Sequence, residues 1–319
     1  MASVVLAEIV RSGFVEGAHH GSAVSLAADG TLAYAAGDVS TPMLPRSCAK
    51  PLQAVAMLRM GLELDGELLA LASGSHSGEG FHAEGALRIL RGAGLDASAL
   101  QDPPDLPLQP QVRDMALRGG VEPSRLLMNC SGKHAAMLAT CAVRGWDTSS
   151  YLDPQHPLQQ GIEETVAELT GEPIAVHATD GCGAPLLSTS LAGLARAFAR
   201  LATAVDGPER RVADAIRQHP EWTSGTTRDE RALLAAVPGA IAKMGAESCY
   251  VVALADGRAF ALKHDDGADR VRPVTMTALL SRSGVDTEPG VDTGAVRRLG
   301  ELSLLGGGVV VGAIRAALP

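Results

Sequence analysis

Four lysines stand among the 27 basic residues of this 319-residue chain, at Lys50, Lys133, Lys243 and Lys263. A chain that otherwise supplies positive charge with arginine keeps lysine for what arginine cannot do, which is to lose a proton. A buried lysine can be driven neutral and then serve as a base or a ligand. Lys50 lies in Arg46-Ser47-Cys48-Ala49-Lys50-Pro51, just ahead of an apolar helical pattern. Pro51 is tolerated only in the first turn of a helix, so the spacing predicts a helix beginning close to Ser47, with Ser47 and Lys50 on one face. There an amine can take the hydroxyl proton and leave a serine nucleophile at a helix N-terminus, which favours negative charge. The same residues also suit an N-cap serine followed by a solvated lysine.

Three further segments carry candidate chemistry. Ser73–His82 packs three hydroxyls, two imidazoles and three glycines into ten residues. It reads as a substrate-facing turn or as a Ser/Gly surface loop. It is not a nucleophile elbow, because His76 holds the middle position between Gly74 and Gly78. Asn129-Cys130-Ser131-Gly132-Lys133-His134 and Thr179-Asp180-Gly181-Cys182 each put a cysteine at a glycine-containing turn. Two such thiolates can share a zinc, with Lys133 or His134 as third ligand and water as the fourth. Imidazole is the commoner ligand by chemistry alone, and isolated cysteines also serve as small core residues. Asp180 suits either a substrate ammonium group or an Asx turn.

The elements that must position these residues fall into three stretches. Residues 4–10, 22–28 and 31–36 read as strands, with Asp29-Gly30 as a hairpin signal. From about Leu52 to Val237 the periodicity is helical, and the proline-rich 101–111 reads as a rigid connector. Strand character returns at 248–267, with Asp256-Gly257 at a turn, and at the C-terminus, with helices near 273–283 and 292–304. The expected fold is α/β in the layered α+β sense: one antiparallel sheet built from N- and C-terminal strands beside a central helical block. A single unit is expected over 1–319, with 1–45 and 246–319 forming the sheet and 46–245 mainly helical.

Composition excludes several function classes. A hydrophobic share of 46% can build a full core, while a net charge of −9 and 3% aromatics leave no basic stripe and few stacking platforms for nucleic acid. The opening MASVVLAEIVRSG has no basic leader and too short an apolar run for a signal peptide or anchor. A cytoplasmic protein without membrane attachment is expected. Five cysteines without a CxxC pair form no disulfide framework, and Cys141 and Cys249 fall in apolar segments as core residues.

Taken together, R-S-x-A-K-P, S-H-S-G-E-x-F-H, N-C-S-G-K-H-A-x-M-L-A, D-P-x-H-P-x-Q, T-D-G-C-x-x-P and K-x-G-A-E, in that order from residue 46 to 247, resemble the rhizobial-type (class 3) L-asparaginases. The chain lacks the T-G-G-T-I opening and the autoprocessing threonine of the other two asparaginase groups. The resemblance implies an L-asparagine amidohydrolase releasing ammonia, on a fold similar to serine β-lactamases and glutaminases. It implies two Ser–Lys tandems, Ser47 with Lys50 and Ser75 with Lys243. It also implies a zinc held by Cys130, Lys133 and Cys182, with Arg46, His76, Asp180 and Gly181 at the substrate, and a homodimer. Cys48, Ser73-Gly74 and Gly183 depart from the family pattern, and Lys263 acquires no role. Two competing readings remain. A penicillin-recognising acyl-serine hydrolase also uses S-x-x-K, but S-D-N and K-T-G are missing here. A non-catalytic zinc-dependent amino-acid sensor would keep the pocket without turnover.

Overall fold

Valine- and alanine-rich runs from both ends of the chain pair with one another in the computed structural model, which describes residues 3–319. Met1 and Ala2, the start of the stretch read above for a leader, lie outside the described residues. In chain order the elements are β1 (Val4–Arg11), β2 (Phe14–Leu26), β3 (Leu32–Ala36), α1 (Lys50–Arg59), α2 (Gly66–Ala72), α3 (Gly80–Gly92), α4 (Pro110–Arg118), α5 (Ser131–Arg144), α6 (Pro157–Thr170), β4 (His177–Thr179), β5 (Pro185–Leu187), α7 (Leu191–Thr203), α8 (Gly207–Gln218), α9 (Pro220–Thr223), α10 (Asp229–Ala236), β6 (Ile241–Gly245), β7 (Cys249–Ala253), β8 (Ala259–His264), α11 (Arg272–Arg282), α12 (Thr293–Leu299), β9 (Leu302–Gly306) and β10 (Val309–Ala316). They form two compact units, residues 1–48, 189–203 and 232–319, and residues 49–188 and 204–231.

The first unit is the sheet. Its strands run β6-β7-β8-β2-β1-β10-β9, with β3 also on β2, and every pair is antiparallel. The two chain ends meet where Ala7 faces Ala316 and Ile9 faces Ile314. β6 and β7 are buried along their whole length, so neither alternates: β7 reads as a continuous apolar run, and β6 buries Lys243 at its centre. α7 packs on β2, β7 and β8, and α11 lies against β8. Ala7, Val271, Val274, Leu304 and Ile314 form a buried core cluster.

Three boundaries differ from expectation for local reasons. β2 starts at Phe14 rather than 22, because its polar first half pairs with β1 while its apolar second half pairs with β8 and β3. β6 is a strand inside the stretch assigned to helix, too short and lysine-bearing to show a period of its own. The last helix stops at Leu299, and Leu302–Gly306 turns back through three glycines to pair with β10.

The second unit is helical. α1 is buried from Lys50 to Leu58 and α5 from Ser131 to Cys141, so both motif-bearing helices are core helices, buried on every side with their polar residues included. α1 packs on α6, and α3 packs on α5. The hairpin β4–β5 pairs Thr179 with Pro185, which places residues 180–184 in its turn. Among the described residues no helix is long and apolar enough to cross a membrane.

Candidate active site

Within the helical unit the first pair to come together is Lys50 with Ser75. A 3-10 turn over Arg46–Ala49 leads into α1, so the α-helix begins at Lys50, three residues later than the expected start at Ser47. Lys50 is 1% exposed, and its Nζ donates to the Gly74 carbonyl at 2.7 Å and to Ser75 Oγ at 2.9 Å. The segment carrying Ser75 is held from two sides: Ser75 N donates to the Thr223 carbonyl and His76 N to the Asn129 carbonyl. Ser75 is therefore a fixed hydroxyl beside a desolvated amine, the arrangement that prepares a serine for proton exchange.

His76, expected at the substrate, is fully buried, and both of its ring nitrogens are engaged by the chain. Gly78 N donates to Nδ1, so Nε2 carries the hydrogen and donates to Ser131 Oγ at 2.8 Å; that hydroxyl in turn donates to the Leu126 carbonyl. Burial first, then the charges of His82 and Lys50, hold this imidazole neutral, well below its usual range.

The second cluster gathers Cys130, Lys133, Cys182 and Asp180. Cys130 precedes α5, Lys133 lies in its first turn, and Gly132 between them lets α5 approach α2: a methyl there would sit 2.5 Å from Leu71 Cγ. Lys133 Nζ lies 2.9 Å from Cys182 Sγ, which in turn lies 3.8 Å from Asp180 Oδ2. The neighbouring Cys130 first, and then the Lys133 charge, hold the Cys182 thiol far below its usual range, against the effect of burial. Cys130 is pushed up by the same contact and by burial. Burial opposes the charge on Lys133, yet the two sulfurs win and hold it protonated, above its usual range. Cys182 is thus the sulfur disposed to ionise, facing the Lys133 amine, while Cys130 Sγ donates to Asn129 Oδ1 at 3.1 Å.

Among the described residues no cluster of three or more His, Cys, Asp or Glu side chains is arranged to hold a metal. Two sulfurs and an amine nitrogen nonetheless converge in a buried space, and such a donor set suits zinc once Lys133 gives up its proton. Asp180 is half-buried, with Gly181 N donating to its Oδ1 at 2.9 Å, while Gly181 itself is exposed.

In the sheet unit the segment Pro45–Cys48 lies on β6. Cys48 N donates to the Pro45 carbonyl, and Cys48 Sγ donates to the Lys243 carbonyl at 3.2 Å. Lys243 is fully buried on β6, with Nζ donating to the Met244 carbonyl at 2.8 Å. Ser47 is half-buried. Arg46 has φ 52° and faces Glu247 at 3.6 Å, and Glu247 and Ser248 have φ 56° and 54°. Non-glycine residues held in this region store strain that the surroundings must impose. Lys263 supplies part of that imposition, its Nζ donating to the Glu247 carbonyl at 2.7 Å. This is the role that sequence reading did not find, and no motif spacing marks it.

Sequence reading also missed Asp102 and Tyr151. Both carboxylate oxygens of Asp102 are buried without a partner, and burial raises its pKa to about 7. Tyr151 is fully buried, with its hydroxyl on His134.

The sequence profile of the L-asparaginase II family matches residues 7–316. No curated protein matches the chain. Among solved structures it is similar to a β-lactamase from Mycobacterium bovis (14% identity, 82% of this chain and 94% of that one, TM-score 0.44). It is also similar to a Bacillus glutaminase (11%, 83% and 91%, TM-score 0.44). A third similar structure is Mglu (13%, TM-score 0.44), of which the alignment takes in 83% of this chain and 60% of that one.

Proposed function

This chain belongs to the L-asparaginase II family, and from that membership we propose that it is an L-asparagine amidohydrolase working through a lysine-activated serine. The observation that carries the reading is the buried Lys50 amine 2.9 Å from Ser75 Oγ, at the start of a helix whose preceding turn bears Ser47. In the proposed reaction Ser47 Oγ attacks the side-chain amide carbon as Lys50 accepts its proton. The C–N bond breaks as that proton is delivered, with Ser75 as its relay, to the departing nitrogen, and ammonia leaves. Water then hydrolyses the aspartyl ester and frees Ser47. Lys243 is assigned to the second tandem, Arg46 to substrate binding, and Asp180 with Gly181 to the substrate ammonium end. His76, with both nitrogens engaged by the chain, is assigned to holding the Ser75 segment through Ser131.

Cys130, Lys133 and Cys182 would hold a zinc, which supplies fixed positive charge for orienting substrate when bound. The chain's own part is to keep Cys182 ionised and Lys133 beside it. A cytoplasmic homodimer completes the reading. It is supported by family membership and by a group of exposed apolar side chains at strand ends, Phe14, Val15, Leu305, Val309 and Val310.

The test is ammonia release from L-asparagine, with L-glutamine as control, by the wild type, Ser47→Ala and Lys50→Ala. Activity on asparagine that falls at least about 1,000-fold in both variants is the expected result, since nucleophile and base act as one unit. A wild type inactive on both amides with zinc supplied, or rapid turnover of a β-lactam, would overturn the assignment.

A further inference from the structure

We infer that Lys263 and His264, consecutive residues of β8, are positioning residues for Arg46: they hold the turn between β6 and β7 in the conformation that brings the Glu247 carboxylate to the Arg46 guanidinium. The inference rests on the reading of Arg46 as a substrate-binding residue, and it deepens that reading by assigning what aims it.

The turn joins β6 to β7 through Ala246, Glu247 and Ser248. Its left-handed positions, Glu247 at φ 56° and Ser248 at φ 54°, are ones that a hairpin ordinarily gives to glycine, asparagine or aspartate. With Arg46 at φ 52° they make three of the four non-glycine residues held in this region among the described residues, and the three meet at one place. Glutamate and serine kept where glycine would be free of strain point to side chains that are needed there. Arg46 Nη1 lies 3.6 Å from Glu247 Oε1, and the Glu247 side chain is 63% exposed. A surface pair of this kind adds little to stability, so what the carboxylate supplies is direction.

β8 and the residues that follow it grip the turn. Lys263 Nζ donates to the Glu247 carbonyl at 2.7 Å, and His264 N donates to the Ser248 carbonyl at 3.2 Å. Ser248 Oγ has one hydrogen and two neighbours, the Ala268 carbonyl and His264 Nδ1, each at 2.9 Å. A carbonyl only accepts, so the hydroxyl donates to Ala268 and receives from Nδ1–H, while His264 Nε2 accepts from Thr275 Oγ1 at 3.0 Å. His264 and Thr275 are fully buried, and burial keeps the ring neutral, with its pKa lowered to about 4. At the base of the turn Arg272 Nη1 donates to the Gly245 carbonyl at 3.0 Å. Gly267, at φ 70°, leaves the carboxylate its place: a methyl there would lie 2.6 Å from Glu247 Oε2.

The deciding experiment pairs the kinetics of ammonia release from L-asparagine with crystal structures of the full-length wild type and Lys263→Met. Lys263→Met keeps the stem and loses the donor, Ser248→Ala keeps the strained φ and loses the tether to His264, and Glu247→Gln changes only an exposed carboxylate. Each is expected to raise KM about tenfold with kcat within twofold of wild type, the signature of lost uniform binding. Ser248→Gly, for which φ 54° carries no strain, should raise KM less than Ser248→Ala. In an Arg46→Ala background Lys263→Met should add nothing further. The Lys263→Met crystal should show Glu247 out of the left-handed region and its carboxylate beyond ion-pair distance of Arg46. An unmoved turn in that crystal, an unchanged KM in Glu247→Gln, or a Lys263→Met effect that persists in full without Arg46 overturns the inference. A wild type inactive on L-asparagine counts against the proposed function alone, because the two crystal structures still decide whether Lys263 holds the turn.

Discussion

The two units each bury a pair of cysteines with a lysine, and the pairs have been put to different uses. In the helical unit Cys130 and Cys182 meet Lys133, whose amine points at the Cys182 sulfur from 2.9 Å. In the sheet unit Cys48 and Cys249 accompany Lys243, whose amine points at the Met244 carbonyl while its own carbonyl receives the Cys48 thiol. In both pairs one sulfur draws the other's pKa down, Cys130 acting on Cys182 and Cys48 on Cys249. What differs is the direction of the lysine. A lysine on the first turn of a helix projects its whole side chain toward the neighbouring hairpin turn, whereas one in the middle of a buried strand is enclosed by main chain. The same three residue types thus make an ion pair in one place and hydrogen bonds to the main chain in the other.

The largest expected effect tests this contrast directly. Cys182→Ser should lower zinc affinity at least about 100-fold, more than loss of an outer partner costs, while Cys249→Ala leaves it unchanged. Competition against a coloured chelator reads both. Equal losses in the two variants would mean that the pairs do not differ in the way described.

Each pair also depends on a glycine at a close approach. A methyl at Gly132 would meet Leu71 Cγ at 2.5 Å, and one at Gly245 would meet the Pro45 carbonyl oxygen at 2.6 Å and Cys48 Sγ at 3.2 Å. Overpacking of this kind costs about 3 kcal/mol, so urea unfolding should show Gly132→Ala and Gly245→Ala destabilised by similar amounts. Adding Cys48→Ala should recover roughly 1 kcal/mol of the Gly245→Ala loss and no more, since the Pro45 oxygen stays in place. Simple additivity in the double variant would place Cys48 away from β6.

Protons divide the molecule in a third way. Asp102, raised to about 7 chiefly by burial, keeps its proton in the folded state while the unfolded chain ionises from about pH 4 upward. The folded state therefore loses stability as pH rises from about 4 to 7. Buried His264 in the sheet unit, lowered to about 4, runs the other way: its contribution is present above about pH 6.5 and is lost as pH falls toward 4. Asp102→Asn should accordingly gain about 2 kcal/mol over the wild type at pH 7.5, with the gap closing by pH 4.5, in metal-free protein unfolded by urea. A gap that does not change with pH would assign the gain to hydrogen bonding instead.

How much of this was legible in the sequence depends on the range of the interactions involved. The terminal strands, the two hairpin turns and the helices after Lys50 and Cys130 follow from local periodicity and turn chemistry, and the structure has them. β6 was missed because five residues with a central lysine have no period to show, and their burial comes from β7. Lys50 and Lys133 were legible as candidates from their neighbours along the chain. That Lys50 donates to Ser75, 25 residues away, or that the Tyr151 hydroxyl meets His134 Nδ1, depends on contacts that no local pattern encodes. Lys263 shows the same limit: its contact is with a carbonyl, and carbonyls carry no sequence signature.

The smallest effect gives the sharpest test of the sheet pair. Cys48 neighbours the proposed nucleophile Ser47 in sequence, so a thiol with chemistry of its own would be well placed to show it. Its side chain is nonetheless fully buried, lies against Gly245 and gives its hydrogen to the Lys243 main chain. Cys48→Ala removes a small apolar volume and weak contacts of the thiol with the Lys243 carbonyl and Cys249, a cost of about 1 kcal/mol. Ammonia release should stay within about twofold of wild type, because β6, whose carbonyl the thiol meets, is still held in register by β7. A tenfold fall in activity at unchanged stability would show that the Cys48 thiol takes part in the reaction, and the two cysteine pairs would then be alike in kind.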